Sequence, residues 1–468
     1  MYDAVIVGSG PNGLAAAVVL AEAGKRVLVL EGRDTIGGGT RTEELTEPGV
    51  HHDVCSSVHP FGIGSPLFSS LPLGSHGLEW AHPPVPFAHA LPDGESVLVY
   101  RSLNETVAGL GPDGEAWRRL IGPLVDDWPA IARLATAPPL RAALSPIRGL
   151  RVARRALQSG THLAGWFATE RGRAVIGGLS AHSVAPLDTN GVGGVVAVLA
   201  AAAHAVGWPF AVRGSASITQ ALASYLGTLG GEIRTGLWVK GLGDLPDARV
   251  LIFDTSPQQA AAIAGDRISW WRRSRYRTLP TGPGTFKTDI ATDGSIPWED
   301  PRLGEAGTVH IGGTFEEIAE AEAKVAGGEH PDRPFVLLSQ PLTGDRGRAP
   351  QGTGIVWAYC HLPASSTEDM SGRIVAQIER FAPGFESRIR AISCRGPEDF
   401  DDYNPNFIHG DITGGPISLT GLLRRPTLLR PYRAGPGIYL CSAATPPGAG
   451  VHGMCGYWAA KAALKELG

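Results

Sequence analysis

What the chain lacks narrows its chemistry before any motif is read. Its 468 residues include five cysteines (Cys55, Cys360, Cys394, Cys441 and Cys455), odd in number, widely spaced and without a Cys-x-x-Cys pair. That excludes a dithiol redox centre and a thiolate zinc site, and unpaired thiols of this kind point to a cytoplasmic setting. A net charge of −4 carries no basic excess that would suggest nucleic acid. No basic and apolar leader precedes the first strand-like run, so a cleaved signal peptide is not expected. The longest apolar stretch, 191–207, is interrupted by glycines and His204 and is short for a bilayer. It reads as a buried core helix. His51, His52, His59, His76, His82 and His89 are numerous, but no pair has helical metal spacing with a nearby acid, so they read as loop and interface residues and no metal is expected. Neither a repeat nor a low-complexity tract is present.

What is there begins at once. Tyr2 to Val7 is an apolar run of strand type, followed by Gly8-Ser9-Gly10-Pro11-Asn12-Gly13 and an alanine-rich helix over Leu14 to Ala23 that Gly24 stops. A second strand, Arg26 to Leu30, ends at Glu31. Each part suits a dinucleotide. Gly8 makes the turn, Gly10 admits a pyrophosphate, Gly13 lets helix and sheet approach, and the helix N-terminus offers free N–H groups to phosphates. The Glu31 carboxylate is placed to accept both ribose hydroxyls, which argues against a 2′-phosphate and so against NADP. A second glycine loop, Gly37-Gly38-Gly39-Thr40-Arg41, follows, where Arg41 has the geometry to bond a phosphate bidentately. Two such loops around one strand–helix–strand unit fit the long dinucleotide FAD better than NAD.

Length predicts two domains, and the chain reads as crossing between them. Residues 1–49, 210–255 and 431–468 form a discontinuous FAD-binding domain, and 50–209 with 256–430 form a substrate domain. The latter carries a helical insertion over about 112–207, with basic residues around Arg148 to Arg155. On return, a helix over Ile218 to Leu229 and strands over Glu232 to Val239 and Arg249 to Phe253 are expected. Strands at Phe286–Ile290, Thr308–Ile311, Phe335–Ser339 and Ile355–Tyr359 predict a mainly antiparallel second sheet. The chain closes on a strand from Gly437, a tight Pro-Pro-Gly-Ala-Gly loop and a small-residue helix from Val451 onward. That helix N-terminus is suited to a flavin pyrimidine ring. Trp270-Trp271-Arg272-Arg273, with Arg275, Tyr276 and Arg277, reads as a solvated basic face with partly buried tryptophans; peripheral membrane contact is the second reading.

With both ends read, the sequence resembles the FAD-dependent oxidoreductases of the phytoene desaturase type, and within them the relatives of the mammalian pyridine nucleotide-disulfide oxidoreductase domain-containing protein 2. The resemblance rests on Asp3 through Leu14, Gly37 to Arg41, Gly307 to Gly313, His409 to Gly415, and Tyr439 through the Pro-Gly-Ala-Gly loop to Gly453. It implies non-covalent FAD in a Rossmann-like domain of the glutathione reductase and amine oxidase kind, with a mixed-sheet substrate domain above it. By that analogy Gly8, Gly10, Pro11, Asn12, Gly13, Glu31 and Arg33 carry the ADP half and pyrophosphate, together with Gly38, Gly39, Thr40 and Arg41. Val239 would touch adenine through its backbone. Gly448, Ala449, Gly450, Val451, His452 and Gly453 would lie against the flavin. Ser442-Ala443-Ala444 departs from the usual Gly before the last alanine, which puts the ribityl contacts in question.

A bound flavin would supply the hydride acceptor, leaving the protein to provide position, dryness and a base. His409 and Lys287 are the candidate assistants, with a structural His and an interface Lys as the plainer reading of each. The expected activity is hydride transfer at a C–C bond of an apolar, isoprenoid-like molecule, with an unidentified electron acceptor. A flavin amine oxidase is the runner-up, although Tyr457 and Trp458, adjacent on a helix, do not form the aromatic pair it needs. A non-catalytic binding protein of the GDP-dissociation-inhibitor kind is the reading from another class.

Overall fold

A computed structural model describes residues 1–92, 94–138, 155, 157–415 and 430–468. The strands of its two large sheets, in chain order, begin with β1 (Tyr2–Val7), β2 (Val27–Leu30), β3 (Val85–Ala90) and β4 (Ser96–Val99). Next come β5 (Glu232–Arg234), β6 (Ala248–Phe253), β7 (Gly284–Asp293) and β8 (Ala306–Ile311). The last are β9 (Val336–Ser339), β10 (Thr353–Leu362), β11 (Ile389–Arg395), β12 (Arg433–Gly435) and β13 (Ile438–Leu440). The helices that matter here are α1 (Pro11–Glu22), α2 (Gly114–Asp126), α3 (Glu170–Ala181), α4 (Val192–Ala205), α5 (Ala216–Thr228), α6 (Trp270–Arg277) and α7 (Met454–Leu467).

The first sheet has the order β12-β13-β6-β1-β2-β5 and is parallel except for the β12–β13 pair. Every residue of β2 is buried, as a parallel strand covered on both faces requires. Helix α1 starts with Pro11 at its first turn and is buried over Asn12–Ala21, without one charged residue until Glu22. It packs against both α5 and α7. The contact with α7 is close enough to require glycine: a Cβ on Gly456 would stand 1.9 Å from the Asn12 carbonyl oxygen. The chain has the mixed α/β architecture of a Rossmann-like domain joined to a multi-stranded substrate domain.

The second sheet, β11-β7-β10-β9-β8-β3-β4, is antiparallel except where β8 runs parallel to β3. Its strands come from both excursions of the chain, so β3 and β4 complete a sheet begun some 200 residues later. One face carries Ala88, Val309, Leu338 and Ala358 against a core of its own. The other carries Phe87, Leu337, Trp357 and Tyr359 and meets the helical layer, where α2 contributes Trp117, Leu120 and Ile121 and α4 its alanines and valines. Trp117 Nε1 donates to His204 Nε2 at 3.0 Å, closing a polar atom of each inside this core.

Several expectations need correction. The strand from Glu232 stops at Arg234, because Gly236 turns with φ +69° and residues 236–237 bond to the carbonyls of Arg33 and Glu31 instead. The edge strand β11 is unforeseen: only alternate residues are covered, so it lacks an apolar run. Helix α6 leaves Trp270 75% and Trp271 50% exposed rather than partly buried, and only Tyr276 faces inward. Helix α4 is buried, and no helix among the described residues is long and apolar enough to cross a membrane. Of the basic stretch at 148–155, only Arg155 is among the described residues.

A buried charge cluster ties together stretches of the chain that are far apart in sequence. Arg348 bonds Asp53 Oδ2 at 2.5 Å, Asp345 Oδ2 at 3.1 Å and the Ala211 carbonyl at 2.9 Å. Asp53 also accepts from Ser215 N, Thr42 Oγ1 and Ser57 Oγ. Burial alone would raise the Asp53 pKa, but the Arg348 guanidinium and these donors hold it below its ordinary value. Removing one partner strands the others in a dry site. Arg348→Ala is expected to lose about 3–5 kcal/mol in denaturant unfolding, against under about 0.5 kcal/mol for the exposed Arg346→Ala. Equal midpoints for the two would contradict the assignment.

Candidate functional site

At the carboxyl ends of β1, β2 and β6 the chain forms a cradle, as ligand sites in open parallel sheets do. A Cβ at Gly13 would stand 2.2 Å from the Gly8 carbonyl, so the turn and the helix start can close together only with glycine there. At the end of β2, Glu31 is 8% exposed. Its Oε2 accepts from Ser9 N at 3.0 Å and Ser9 Oγ at 2.5 Å, and its Oε1 from Arg33 N at 2.9 Å. The carboxylate is thereby fixed at the mouth of the Gly8–Asn12 turn, which lines the same cavity. Asn12 Oδ1 and Ser442 Oγ are buried there without hydrogen-bond partners. A close-approach turn, a fixed acid and orphaned polar atoms fit the phosphates and ribose of a dinucleotide.

The neighbouring loop is held by Arg41, and this revises its role. Its guanidinium donates to Thr35 O, Thr35 Oγ1 and Gly38 O and lies 3.5 Å from Glu31, at 5% exposure. It orders the Gly38–Thr40 turn and has few donors left for a phosphate. Tyr403 pins the same turn, its hydroxyl donating to Gly38 O at 2.8 Å. Arg33 reaches the Asp402 carbonyl and lies over the Trp238 ring at 5.8 Å. Val239 lines the cavity beside Trp238. From the opposite end, Gly448, Ala449, Gly450, Val451 and His452 line it, with Ser442, Ala443 and Ala444. Burial lowers the His452 pKa to about 4, so the ring is neutral. Gly13 and Gly453 lie outside the lining: Gly13 donates to Asp254, and a Cβ at Gly453 would meet the Phe68 ring and Ala15.

Asp254 was not singled out as a site residue, though it ends β6 as Glu31 ends β2, and that parallel was the available signal. Its Oδ2 accepts from Gly13 N at 2.8 Å, at the N-terminus of α1. Asp254 lines the cavity at the base of the turn, and burial, with the Glu31 charge, pushes its pKa up to about 7 against the pull of the Gly13 and Gly10 backbone N–H groups.

The cradle opens into a cavity of about 630 Å3 that continues to the second sheet. Its far part is walled by Phe61, Val195, Val198, Leu199, Trp208, Leu337, Trp357 and Tyr359, with His59, His182 and Thr308 among them. Trp357 and Tyr359 meet edge to face at 5.2 Å between ring centroids. This aromatic pair comes from alternate residues of β10. Tyr457 and Trp458 also stack edge to face, but Trp458 Nε1 is spent on the Thr136 carbonyl and neither lines the cavity.

Neither candidate assistant reaches the cavity. His409 is exposed in a left-handed turn with φ +61°, its ring bonded to Ser365 Oγ. Lys287 is 1% exposed and ion-paired with Asp289, behind the Trp357 ring at 5.5 Å. Burial lowers its pKa, opposed by the Asp289 charge. No group of three or more metal-ligating side chains exists among the described residues.

The NAD(P)-binding Rossmann-like domain family matches residues 6–70. The chain is 26% identical to the rat pyridine nucleotide-disulfide oxidoreductase domain-containing protein 2, over all of this chain and 94% of that protein. It is 36% identical to rat all-trans-retinol 13,14-reductase over 23% of this chain and 18% of that protein. A triple mutant of putrescine oxidase superposes with a TM-score of 0.65 at 18% identity, over 100% of this chain and 98% of the other. The fold is shared with putrescine oxidase, and the Rossmann-like match covers this chain's first strand–helix–strand unit.

A carboxyl with a raised folded-state pKa contributes stability that is complete below its unfolded value and is lost as pH rises through the folded value. For Asp254 that window runs from about 4 to about 7. In protein stripped of ligand, wild type is therefore expected to lose stability relative to Asp254→Asn across this range. Denaturant melts at pH 4.5 and 7.5 (roughly the two ends) check it; an unchanged difference would contradict the raised pKa.

Proposed function

We propose that this protein is a FAD-dependent oxidoreductase that moves hydride between the flavin and a C–C bond of an apolar, isoprenoid-like small molecule. The observation that carries this reading is the single cavity running from the Gly8–Glu31 cradle to an apolar and aromatic wall. When bound, FAD supplies the hydride-accepting chemistry. This chain's residues do the rest. Glu31 holds the ribose end, with Gly10, Pro11 and Asn12 at the phosphates. Residues 448–452 take the flavin end, and the mostly apolar wall limits water near the reacting carbon. The partial likeness to a reductase named for all-trans-retinol supports an isoprenoid-like substrate.

A flavin amine oxidase is the second reading, favoured by the Trp357–Tyr359 pair and by the fold shared with putrescine oxidase. Among the described residues no unpaired carboxylate lines the far wall to hold an ammonium: Asp289, opposite Trp357 on the same face, is paired with Lys287 and does not line the cavity. The cavity's acids Glu31 and Asp254 stand at the cradle, and Asp411 is taken by Gly282 N, Thr413 N and Gly415 N. A cofactor-free binding role on this fold is disfavoured by the intact cradle. The exposed Trp270 and Trp271, beside Arg275 and Arg277, suit peripheral contact with a membrane from which an apolar substrate would be drawn.

The purified protein is expected to be yellow, and to bleach anaerobically with polyenes or their saturated counterparts and not with amines. Colourless protein that takes up no added FAD would overturn both enzyme readings, and bleaching by amines alone would select the second. Glu31→Ala should lose most of its flavin on dialysis while keeping its far-UV circular dichroism. Full flavin occupancy after dialysis would count against the ribose assignment.

A further inference from the structure

The far wall of the cavity is not uniformly apolar. Thr308 of β8, Ser339 of β9 and Trp357 of β10 sit directly opposite one another across three adjacent strands, so their side chains share one face. Each carries a buried polar atom without a hydrogen-bond partner: Thr308 Oγ1, Ser339 Oγ and Trp357 Nε1. Thr308 and Trp357, the two ends of the row, line the cavity. The next row begins with His310, opposite Leu337, and Leu337 faces Tyr359. His310 Nδ1 is also orphaned, while its Nε2 lies 2.9 Å from Nε2 of His182, another lining residue. A buried polar atom left unpaired is costly, and four of them on one face are not incidental to packing.

The chemistry of the orphans restricts what satisfies them. An indole Nε1–H is a donor only, so its partner must accept. A hydrocarbon offers it nothing, and neither does an ammonium, which itself only donates. A carboxylate would accept, but the cation nearest this wall, Lys287, is already paired with Asp289, and an unpaired anion is expensive in such a place. Burial keeps His182 and His310 neutral, so they add no charge. A carbonyl or hydroxyl oxygen accepts from Trp357, and Thr308 can then donate or accept as that group requires.

We propose that Thr308 and Trp357, on either side of the enclosed Ser339, with His182 held by His310 beside them, form a hydrogen-bonding subsite for an uncharged oxygen-bearing group on an otherwise apolar substrate. The subsite rests on reading this cavity as the substrate site and narrows the substrate class to neutral carbonyl or alcohol derivatives.

A matched ten-carbon series tests this. Geraniol, its hydrocarbon counterpart 2,6-dimethyl-2,6-octadiene, and geranylamine are titrated into the purified full-length protein, with binding read by calorimetry. Geraniol is expected to bind about ten-fold more tightly than the hydrocarbon and more tightly than the amine. Desolvating the hydroxyl works against geraniol, so the preference requires partners in the wall. In Thr308→Val and in Trp357→Phe the alcohol-to-hydrocarbon ratio should fall towards one with hydrocarbon affinity kept; Thr308→Ser, which retains the hydroxyl, should keep the wild-type ratio. Equal binding of alcohol and hydrocarbon by wild type, which would mean the row holds water only, overturns the proposal. So does undetectable binding of geraniol, tighter binding of the amine, or a ratio that both substitutions leave unchanged. The wild-type comparison stands even if a variant fails to fold. Flavin content, measured on the same preparation, reports separately on the oxidoreductase reading, because calorimetry needs no turnover.

Discussion

The arrangement of the two halves depends on one buried cation. Arg348 draws together Asp53, Asp345 and the Ala211 carbonyl, and Asp53 in turn fixes Ser215. These residues come from three stretches of the chain far apart in sequence, near positions 53, 211–215 and 345–348. An ion cluster is a poor source of net stability, since desolvation offsets most of its attraction. Its value lies in geometry, because the charges are satisfied in only one arrangement. With these stretches fixed, the cradle at the ends of β1 and β2 and the wall of the second sheet face a common space.

That common space explains why the two glycine loops and the sheet can serve one ligand set. The cradle is made by local sequence: a strand, a close turn, a helix without charge and an acid two dozen residues on. The wall is made by register. Strands β8, β9 and β10 are neighbours through antiparallel pairing, and the polar row exists only because residues far apart in sequence fall opposite each other. The first kind of order survives in a linear reading, and the second does not.

Legibility in the sequence follows the same division. The strand–turn–helix–strand unit, α4 as a core helix and most strands of the second sheet were readable from apolar periodicity and glycine placement. Glu31 was readable as the acid of the cradle, while Asp254, at the equivalent end of β6, went unweighted because its strand is some 220 residues distant. Arg41 looked like a phosphate ligand because nothing in the sequence shows that Thr35 and Gly38 consume its donors. His409 stands out beside the Gly-Asp motif and Lys287 as a cation in a strand-like run, yet the first turns to solvent and the second is paired with Asp289. The aromatic pair was sought at Tyr457 and Trp458, where adjacency is visible; the pair on the wall skips a residue, as a strand does.

The burial of α1 sets the order in which the protein can be completed during synthesis. Helix α1 is enclosed by the sheet, α5 and α7, and Gly456 of α7 closes directly on the first turn of α1. Residues 11–21 leave the ribosome well before their covering helix, which begins at Met454. Until the final fourteen residues of α7 emerge, the nucleotide cradle has an uncovered apolar flank. Translation past α7 therefore precedes formation of a covered cradle, and a nascent chain stalled before residue 454 leaves that flank open to chaperones.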